Sequence, residues 1–194
     1  APGGAAEAFA RAKDEGVIRG IGCSSHAPEV YLDAIERLDL SLILVWCNYL
    51  DNLNFPIIPH RVIPEARRRG ITVTGMKPLA DGFLHRSAAE AVRYCLAAGA
   101  EVAVCGTNRV EHVRQVADAV RQGAMGPEER TRLLDEAVEL GRYVCRQCGQ
   151  CGDDLMDTFR LEGEFDRQMI DGMAHGPAED ALRVRLAGWF GRAE

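Results

Sequence analysis

Residues 70–82 read Gly-Ile-Thr-Val-Thr-Gly-Met-Lys-Pro-Leu-Ala-Asp-Gly, a short apolar run followed by a lysine, a proline and a glycine. Nearly continuous apolar runs of this length are typical of parallel strands that are covered on both faces. Three similar runs occur, and the four begin near residues 17, 42, 71 and 101. The predicted strands are Val17–Ser25, Leu42–Leu50, Ile71–Leu79 and Glu101–Thr107.

Helical patterns separate these runs. One of them opens with Ser87-Ala-Ala-Glu90, which has the spacing of a capping box. Regular alternation of strands and helices predicts an α/β fold, either a (β/α)8 barrel or an open doubly wound sheet, and in both the ligands bind at the carboxyl ends of the strands. The predicted helices are Ala5–Glu15, Glu29–Leu38, Val62–Arg69, Ala88–Ala98 and Glu111–Arg121.

The pattern changes after about Gly123. A charged helix is predicted from Pro127 to about Tyr143, and a last helix over Pro177–Phe190. The sequence therefore predicts two parts, strand–helix units over residues 1–122 and a helical tail over residues 123–194.

The tail contains three cysteines spaced C-x2-C-x2-C, a spacing that lets thiolates converge on one metal ion or cluster. They are Cys145, Cys148 and Cys151, and no later cysteine follows them. A cubane iron–sulfur cluster normally takes four thiolates. An iron–sulfur cluster with a carboxylate ligand, a three-iron cluster, zinc with an oxygen ligand or His175, and an inert set of loop thiols are therefore all left open.

Composition excludes several partners. The chain has 194 residues and a net charge of −6, which disfavours nucleic acid and anionic membranes as partners. The longest apolar run, residues 40–50, is too short to cross a bilayer, and the first residues do not resemble a signal peptide. Four cysteines lie singly in apolar segments, as buried thiols do in a reducing compartment, so a cytoplasmic location is expected. They are Cys23, Cys47, Cys95 and Cys105.

Four segments, in this order and spacing, resemble the aldo/keto reductase family. The resemblance covers roughly residues 5–122, and the Met-Lys-Pro-Leu form of the third segment together with a cysteine tail is similar to the ferredoxin-like branch of that family. That branch implies a fourth metal ligand at position 154, which is Asp154 in this sequence. The segments are GVIRGIGCSSH at residues 16–26, Asn48-Tyr49-Leu50, GITVTGMKPLADG at residues 70–82 and VCGTNRVEHV at residues 104–113.

The resemblance implies the C-terminal half of a TIM (β/α)8 barrel, strands five to eight, which binds NADPH and reduces a small carbonyl substrate or oxidises an alcohol. By position, Ser24 and Ser25 would bind the nicotinamide carboxamide. Three residues would line the path of the pyrophosphate, and four would hold the adenosine phosphate at a helix N-terminus. These are Lys77, Leu79 and Gly82 for the first group, and Gly106, Thr107, Asn108 and Arg109 for the second.

The residues that correspond to the family's catalytic Asp, Tyr, Lys and His belong to its first four strands, which this sequence does not match. We therefore expect the isolated chain to be inactive. Three interpretations stay open: one half of a reductase, a noncatalytic half-barrel or binding module that completes a barrel by oligomerising, and an iron–sulfur or zinc protein. The substrate cannot be predicted, because specificity loops vary freely.

Overall fold

The computed structural model describes residues 4–141, 144–146 and 148. Strands and helices alternate along this part of the chain. The elements are α1 (Ala5–Asp14), β1 (Gly22–Ser24), α2 (Pro28–Arg37), β2 (Leu42–Trp46), α3 (Tyr49–Asn54), a short π-helix (Ile58–Val62), α4 (Ile63–Arg68), β3 (Thr72–Met76), two short 3-10 helices (Ala80–Gly82 and His85–Ser87), α5 (Ala88–Ala97), β4 (Val102–Val104), α6 (Val110–Gln122) and α7 (Pro127–Gly141).

The four strands form one parallel sheet in the order β1-β2-β3-β4. The pairing of β2 with β3 is the longest, with five residue pairs from Leu42–Thr72 to Trp46–Met76. Consecutive parallel strands that are neighbours in space, each pair joined by a helix, are the repeating unit of a (β/α)8 barrel. This confirms the predicted α/β fold and its four strand–helix units.

One face of the sheet packs against helices. Side chains alternate along a strand, so Ile43, Val45 and Val73 point to the same face. There they meet a stripe on α2 that includes Tyr31 and Ile35, spaced as one side of a helix. All five side chains are at most 2% exposed.

The opposite face of the sheet is only partly covered, so the prediction that both faces of every strand are buried is wrong. Val102 and Val104 of the edge strand β4 are 49% and 50% exposed, and Gly22 and Ser24 of the other edge strand are exposed too. In a closed barrel this second face fills the interior, with side chains from all of the strands. The strands described here supply only one side of such an interior.

A second core cluster connects α7 to the strand–helix units. Tyr49, Leu50 and Phe83 pack in it with Ala137 of α7 and with Val144. The first helix of the predicted tail thus shares a core with the preceding units, and the division at residue 122 stays a prediction. None of the helices in the described residues has the length and the apolar character needed to span a membrane.

Several local predictions were wrong. β1 begins at Gly22 rather than Val17, because the N–H groups of residues 17 and 18 bond back to α1. β3 ends at Met76 rather than Leu79, where Lys77 adopts a positive φ, and β4 ends at Val104 rather than Thr107.

Leu50 was assigned to a strand, but β2 ends at Trp46, because the Asn48 side chain caps α3 by accepting the Asp51 N–H at 2.7 Å. The capping box of Ser87 and Glu90 does not form: the Ser87 hydroxyl instead lies 2.6 Å from the Tyr49 hydroxyl and caps no backbone N–H.

Gly75 of β3 gives a test of this packing. A Cβ at this position would lie 2.4 Å from the Cys95 Sγ and 3.1 Å from Cβ atoms of Cys47 and Ala100. We therefore expect Gly75→Ala to lower the free energy of unfolding by about 1–3 kcal/mol through overpacking.

The control for Gly75→Ala is Gly126→Ala, since a Cβ at Gly126 would meet no atom within 4 Å. Urea unfolding followed by circular dichroism measures both variants. Equal stability of the two would contradict the close approach of α5 to β3.

Candidate functional site

The carboxyl ends of β1 to β4 lie at one edge of the sheet because all four strands are parallel. A cleft of about 330 Å³ opens at this edge beside β2 and β3. Its lining combines aromatic rings with charged side chains, the composition of a site that binds a polar ligand with a flat group. The lining residues are His26, Trp46, Asp51, Phe55, Lys77, Asp81 and Arg146.

The aromatic wall of the cleft is centred on Trp46, the last residue of β2. The Phe55 ring meets its indole edge-on at 4.7 Å between centroids, and the His26 ring lies 6.2 Å away. The indole N–H donates to the carbonyl of Ser25 at 3.0 Å. Trp46 is therefore held in place by a ring contact and by a hydrogen bond to the neighbouring strand end.

Ser24 and Ser25 follow at the end of β1, as predicted. The Tyr31 hydroxyl accepts the Ser25 N–H and also bonds the Ser25 carbonyl, at 3.0 Å and 2.6 Å. The Ser25 hydroxyl accepts the Ala27 N–H at 3.0 Å, which leaves its own proton for a further acceptor. Ser24 is exposed. A role of the two serines in binding a carboxamide stays a prediction.

The turn after β3, residues 77–82, has an unusual backbone. Lys77, Ala80 and Asp81 have φ values of 54°, 48° and 60°, in the left-handed region that non-glycine residues rarely adopt. Asn48 holds the start of the turn, since its side-chain N–H donates to the Lys77 carbonyl at 3.0 Å. Such conformations persist only where the surroundings fix them, and they cluster at binding sites. Leu79 and Gly82, two predicted pyrophosphate residues, belong to this turn.

Arg146 contributes to the cleft from the segment after α7, and sequence reasoning missed it. Its guanidinium pairs with both carboxylate oxygens of Asp51, at 2.6 Å and 3.0 Å, and reaches the Asp81 carboxylate at 3.3 Å. The side chains of Arg146 and Asp51 are each 7% exposed. No sequence motif connects these residues, which are 95 positions apart.

The charges of the cleft influence one another. Burial alone would lower the pKa of Arg146, but the carboxylates of Asp51 and Asp81 raise it. Burial would raise the pKa of Asp81, yet the cationic groups of Arg146 and Lys77 lower it below its ordinary value. Lys77 lies 3.2 Å from Asp81. The cleft therefore contains two acidic and two basic side chains that pair with one another.

The predicted phosphate residues form a separate group at the edge strand. Gly106, Thr107, Asn108 and Arg109 follow β4, are all exposed and lead into α6. The Arg109 side chain does not cap the helix, so the first backbone N–H groups of this 13-residue helix are not bonded by it. Among the predicted cofactor residues, Lys77 is the one that lines the described cleft.

Two of the four single cysteines, Cys47 and Cys95, are buried core thiols, whereas Cys23 and Cys105 are half-buried. Burial raises the pKa of Cys23. Burial and the neighbouring Cys95 raise the pKa of Cys105 to about 11. Thiols of raised pKa form little thiolate at neutral pH and are poor nucleophiles.

The predicted metal site falls only partly within the structure. Cys145 and Cys148 are half-buried, whereas Cys151 and Asp154 lie outside the described residues. Among the residues that the structure describes, no group of three or more His, Cys, Asp and Glu side chains could hold a metal ion. The four-residue ligand set therefore stays a prediction.

Comparison with known families agrees with the strand–helix pattern. The model of the aldo/keto reductase family matches residues 4–91, from α1 into α5. Over these residues the chain is similar to the aldo/keto reductase family. The predicted assignment is thus confirmed for the first three strands, and its ferredoxin-like branch stays a prediction.

Solved structures are similar over a longer part of the chain. The holo form of aldo-keto reductase AKR11C1 from Bacillus halodurans superposes with a TM-score of 0.56 at 23% identity, over 67% of this chain and 54% of that one. Its apo form gives 0.56 at 24%, over 67% and 55%. The chain spans about half the length of these structures, and at this identity the likeness shows the fold, part of an aldo/keto reductase barrel. No curated protein sequence matches the chain.

Asp81 gives a pH test of the cleft. Its pKa is lowered in the folded state, so its ion pairs stabilise the protein above its unfolded pKa, about 3.9, and the stabilisation is lost as the pH falls through the lowered value. We expect the stability difference between wild type and Asp81→Asn to be constant above about pH 5 and to shrink below pH 4.

Urea unfolding between pH 3 and pH 7 measures the Asp81 difference. Asp118→Asn is the control, since Asp118 forms an exposed pair with Arg121 on α6, far from the cleft in sequence. A difference that grows toward low pH would contradict the assigned ion pairs.

Proposed function

We propose that this chain forms the cofactor-binding side of an oxidoreductase of the aldo/keto reductase type, which interconverts a small carbonyl compound and its alcohol with NADPH. The observation that carries the proposal is the cleft at the strand ends, where Trp46 and Phe55 form an aromatic wall beside the strained turn at residues 77–82. In parallel α/β folds this edge is where ligands bind.

The residues present fit a dinucleotide with several phosphates. Lys77 lines the cleft, where its side chain is 39% exposed beside Asp81, and Arg109 lies exposed at the start of α6. A helix N-terminus with unbonded N–H groups favours an anion. Ser24 and Ser25 have hydroxyls at the end of β1 that can pair with an amide. NADPH, when bound, supplies a hydride, and these residues bind and orient it.

The described tyrosines do not supply the acid that carbonyl reduction needs. Tyr31, Tyr49 and Tyr94 are 0%, 4% and 1% exposed, so none reaches a substrate in the cleft. The Tyr31 and Tyr49 hydroxyls are engaged by Ser25 and Ser87. Burial raises the pKa of Tyr94 to about 12, although the nearby Arg130 charge lowers it. Under the proposed function, the proton donor is therefore a residue other than these three tyrosines.

A second candidate function is favoured by the open sheet. Among the described residues, the edge strands β1 and β4 have no further strand beside them, and the valines of the second face are exposed, which is an unstable arrangement in water. A noncatalytic half-barrel that closes against a second copy of the chain would cover this surface. Such a protein could bind NADPH without turning over a substrate.

We also propose a reducing, cytoplasmic location, which the position of Cys47 and Cys95 as buried thiols in apolar surroundings supports. The iron–sulfur or zinc function rests on the spacing of the cysteine run. Metal analysis of protein purified without a metal-chelating tag would test it, and absence of bound iron and zinc from protein whose thiols are reduced would contradict it.

The role of Arg109 can be tested directly. We expect Arg109→Gln to raise the dissociation constant for NADP⁺ about 10- to 100-fold, because one charge-assisted hydrogen bond contributes about 1.5–3 kcal/mol. Arg121→Gln is the matched control, at the other end of the same helix and paired with Asp118.

Isothermal titration calorimetry measures the affinity of both variants. The proposal also predicts no carbonyl reduction by the chain alone with excess NADPH. Equal affinities of the two arginine variants would refute the phosphate site, and turnover by the isolated chain would refute the need for a further proton donor.

Val104 separates the two candidate functions. If a second copy covers β4, the protein in solution is a dimer with about twice the chain mass of 21.2 kDa. Val104→Glu then dissociates the dimer, because the interface would bury a carboxylate. Val30→Glu, on an exposed position of α2, is the control. Light scattering at several concentrations measures the mass, and a monomer throughout would rule out the half-barrel dimer.

A further inference from the structure

The buried guanidinium of Arg146 makes several polar contacts in the described part of the chain. Besides its pairs with Asp51 and Asp81, its guanidinium donates toward the Ala80 carbonyl at 3.4 Å and lies over the Phe83 ring at 5.6 Å. One side chain from the segment after α7 thus contacts α3, the turn at residues 77–82 and the residue that follows this turn.

A buried guanidinium contributes little net stability to a fold, because removing its charge from water costs free energy. The cost of desolvating two charges offsets most of their mutual attraction. Apolar side chains of similar size often stabilise a core at least as much as a buried ion pair does. What the planar, forked group adds is direction, because the bidentate pair with Asp51 fixes the plane in which the remaining N–H groups point. These N–H groups point at the turn.

The turn needs such support. Ala80 and Asp81 are two of its three left-handed residues, and they are the two that Arg146 bonds. Lys77, the third, is held by Asn48, whose side chain also donates to Asp51 at 2.6 Å. All of the strained residues are thus connected to the Asp51 carboxylate through one intermediate side chain.

We propose that Arg146 is a positioning residue of the strand-end cleft: it fixes the strained turn at residues 77–82, and through it the cysteine-bearing segment determines the shape of the cleft. The effect on the turn follows from the contacts alone. The effect on NADP⁺ binding rests on the proposed function, in which Leu79 and Gly82 of this turn line the path of the pyrophosphate.

The position of the cysteines gives the proposal a second consequence. Cys145 is the neighbour of Arg146, and Cys148 lies two residues beyond it. When Arg146 is released from Asp51, both thiols lose their attachment to the cleft and become more reactive. Cys47 and Cys95, buried between β2 and α5, keep their protection as long as the fold is intact.

The test compares Arg146→Gln and Arg146→Lys with a matched control in the full chain. Arg93→Gln is the control: Arg93 of α5 also forms a two-pronged pair with a carboxylate that holds α7, that of Glu129, but lies outside the cleft. Hydrogen exchange is followed at the amides of Gly82, Phe83 and Leu84, which bond to carbonyls within the turn.

We expect Arg146→Gln to speed exchange at these three amides by about tenfold or more, a change typical of a local opening. Arg146→Lys keeps a charge without the fork and restores part of the protection. Arg93→Gln leaves the turn unchanged. Equal exchange in wild type and Arg146→Gln overturns the proposal, as does a uniform increase that includes β2 and β3, which would mean general destabilisation.

Alkylation by N-ethylmaleimide, mapped by mass spectrometry, is the second measurement. Faster modification of Cys145 and Cys148 with Cys47 and Cys95 still protected supports the proposal. Faster modification of all four thiols, or of none, contradicts it.

Titration with NADP⁺ separates this inference from the proposed function. If the turn loosens in Arg146→Gln and affinity falls about tenfold, both are supported. If the turn loosens but neither wild type nor variant binds NADP⁺, the proposed function fails and the positioning role stands. If wild type binds NADP⁺ and the turn does not respond to the variant, the function stands and the positioning role fails.

Discussion

The parallel pairing of β2 with β3 is the constraint on which the rest of this structure depends. Five residue pairs in register bring Trp46 level with Met76, so the segments that follow the two strands leave the sheet side by side. The close approach of α5 at Gly75 requires that this strand carry no side chain there. Helix packing on one face and the cleft at the strand ends both follow from this register.

One side chain, that of Asn48, connects the two segments that follow β2 and β3 at the strand-end cleft. Asn48 caps α3 with its carbonyl oxygen, and its amide N–H group donates to the Lys77 carbonyl after β3. Because it bonds both segments, the cap of a short helix also fixes the start of the strained turn. Asp51 of the same helix then faces the cleft, where Arg146 pairs with it. The cleft is therefore a product of helix capping as much as of sheet geometry.

In the described part of the chain, one face of the sheet is only partly covered. Helices cover one face of the sheet, whereas the second face and both edge strands keep exposed side chains. This agrees with a chain that spans about half the length of the aldo-keto reductase structures it matches. The described residues place aromatic and charged groups at the strand ends, and the described tyrosines are buried.

The alternation of strands and helices was predictable from the amino-acid sequence, because apolar β-branched runs and amphipathic stripes are local patterns. The resemblance to the aldo/keto reductase family was predictable too, through motifs whose glycines, proline and lysine lie at strand ends. Sequence could not predict the open face, since burial of a strand depends on which other elements are present. It missed the Ser87–Tyr49 contact, in which a partner 38 residues away replaced a local cap.

Which charged residues line the cleft depends on the tertiary structure. Asp51, Asp81 and Arg146 are ordinary charges in the sequence, and neither spacing nor periodicity relates them. They meet because α7 and the segment after it return to the strand ends, where burial strengthens the attraction between opposite charges. Local patterns determine secondary structure, whereas a site built across 95 residues depends on how distant segments pack.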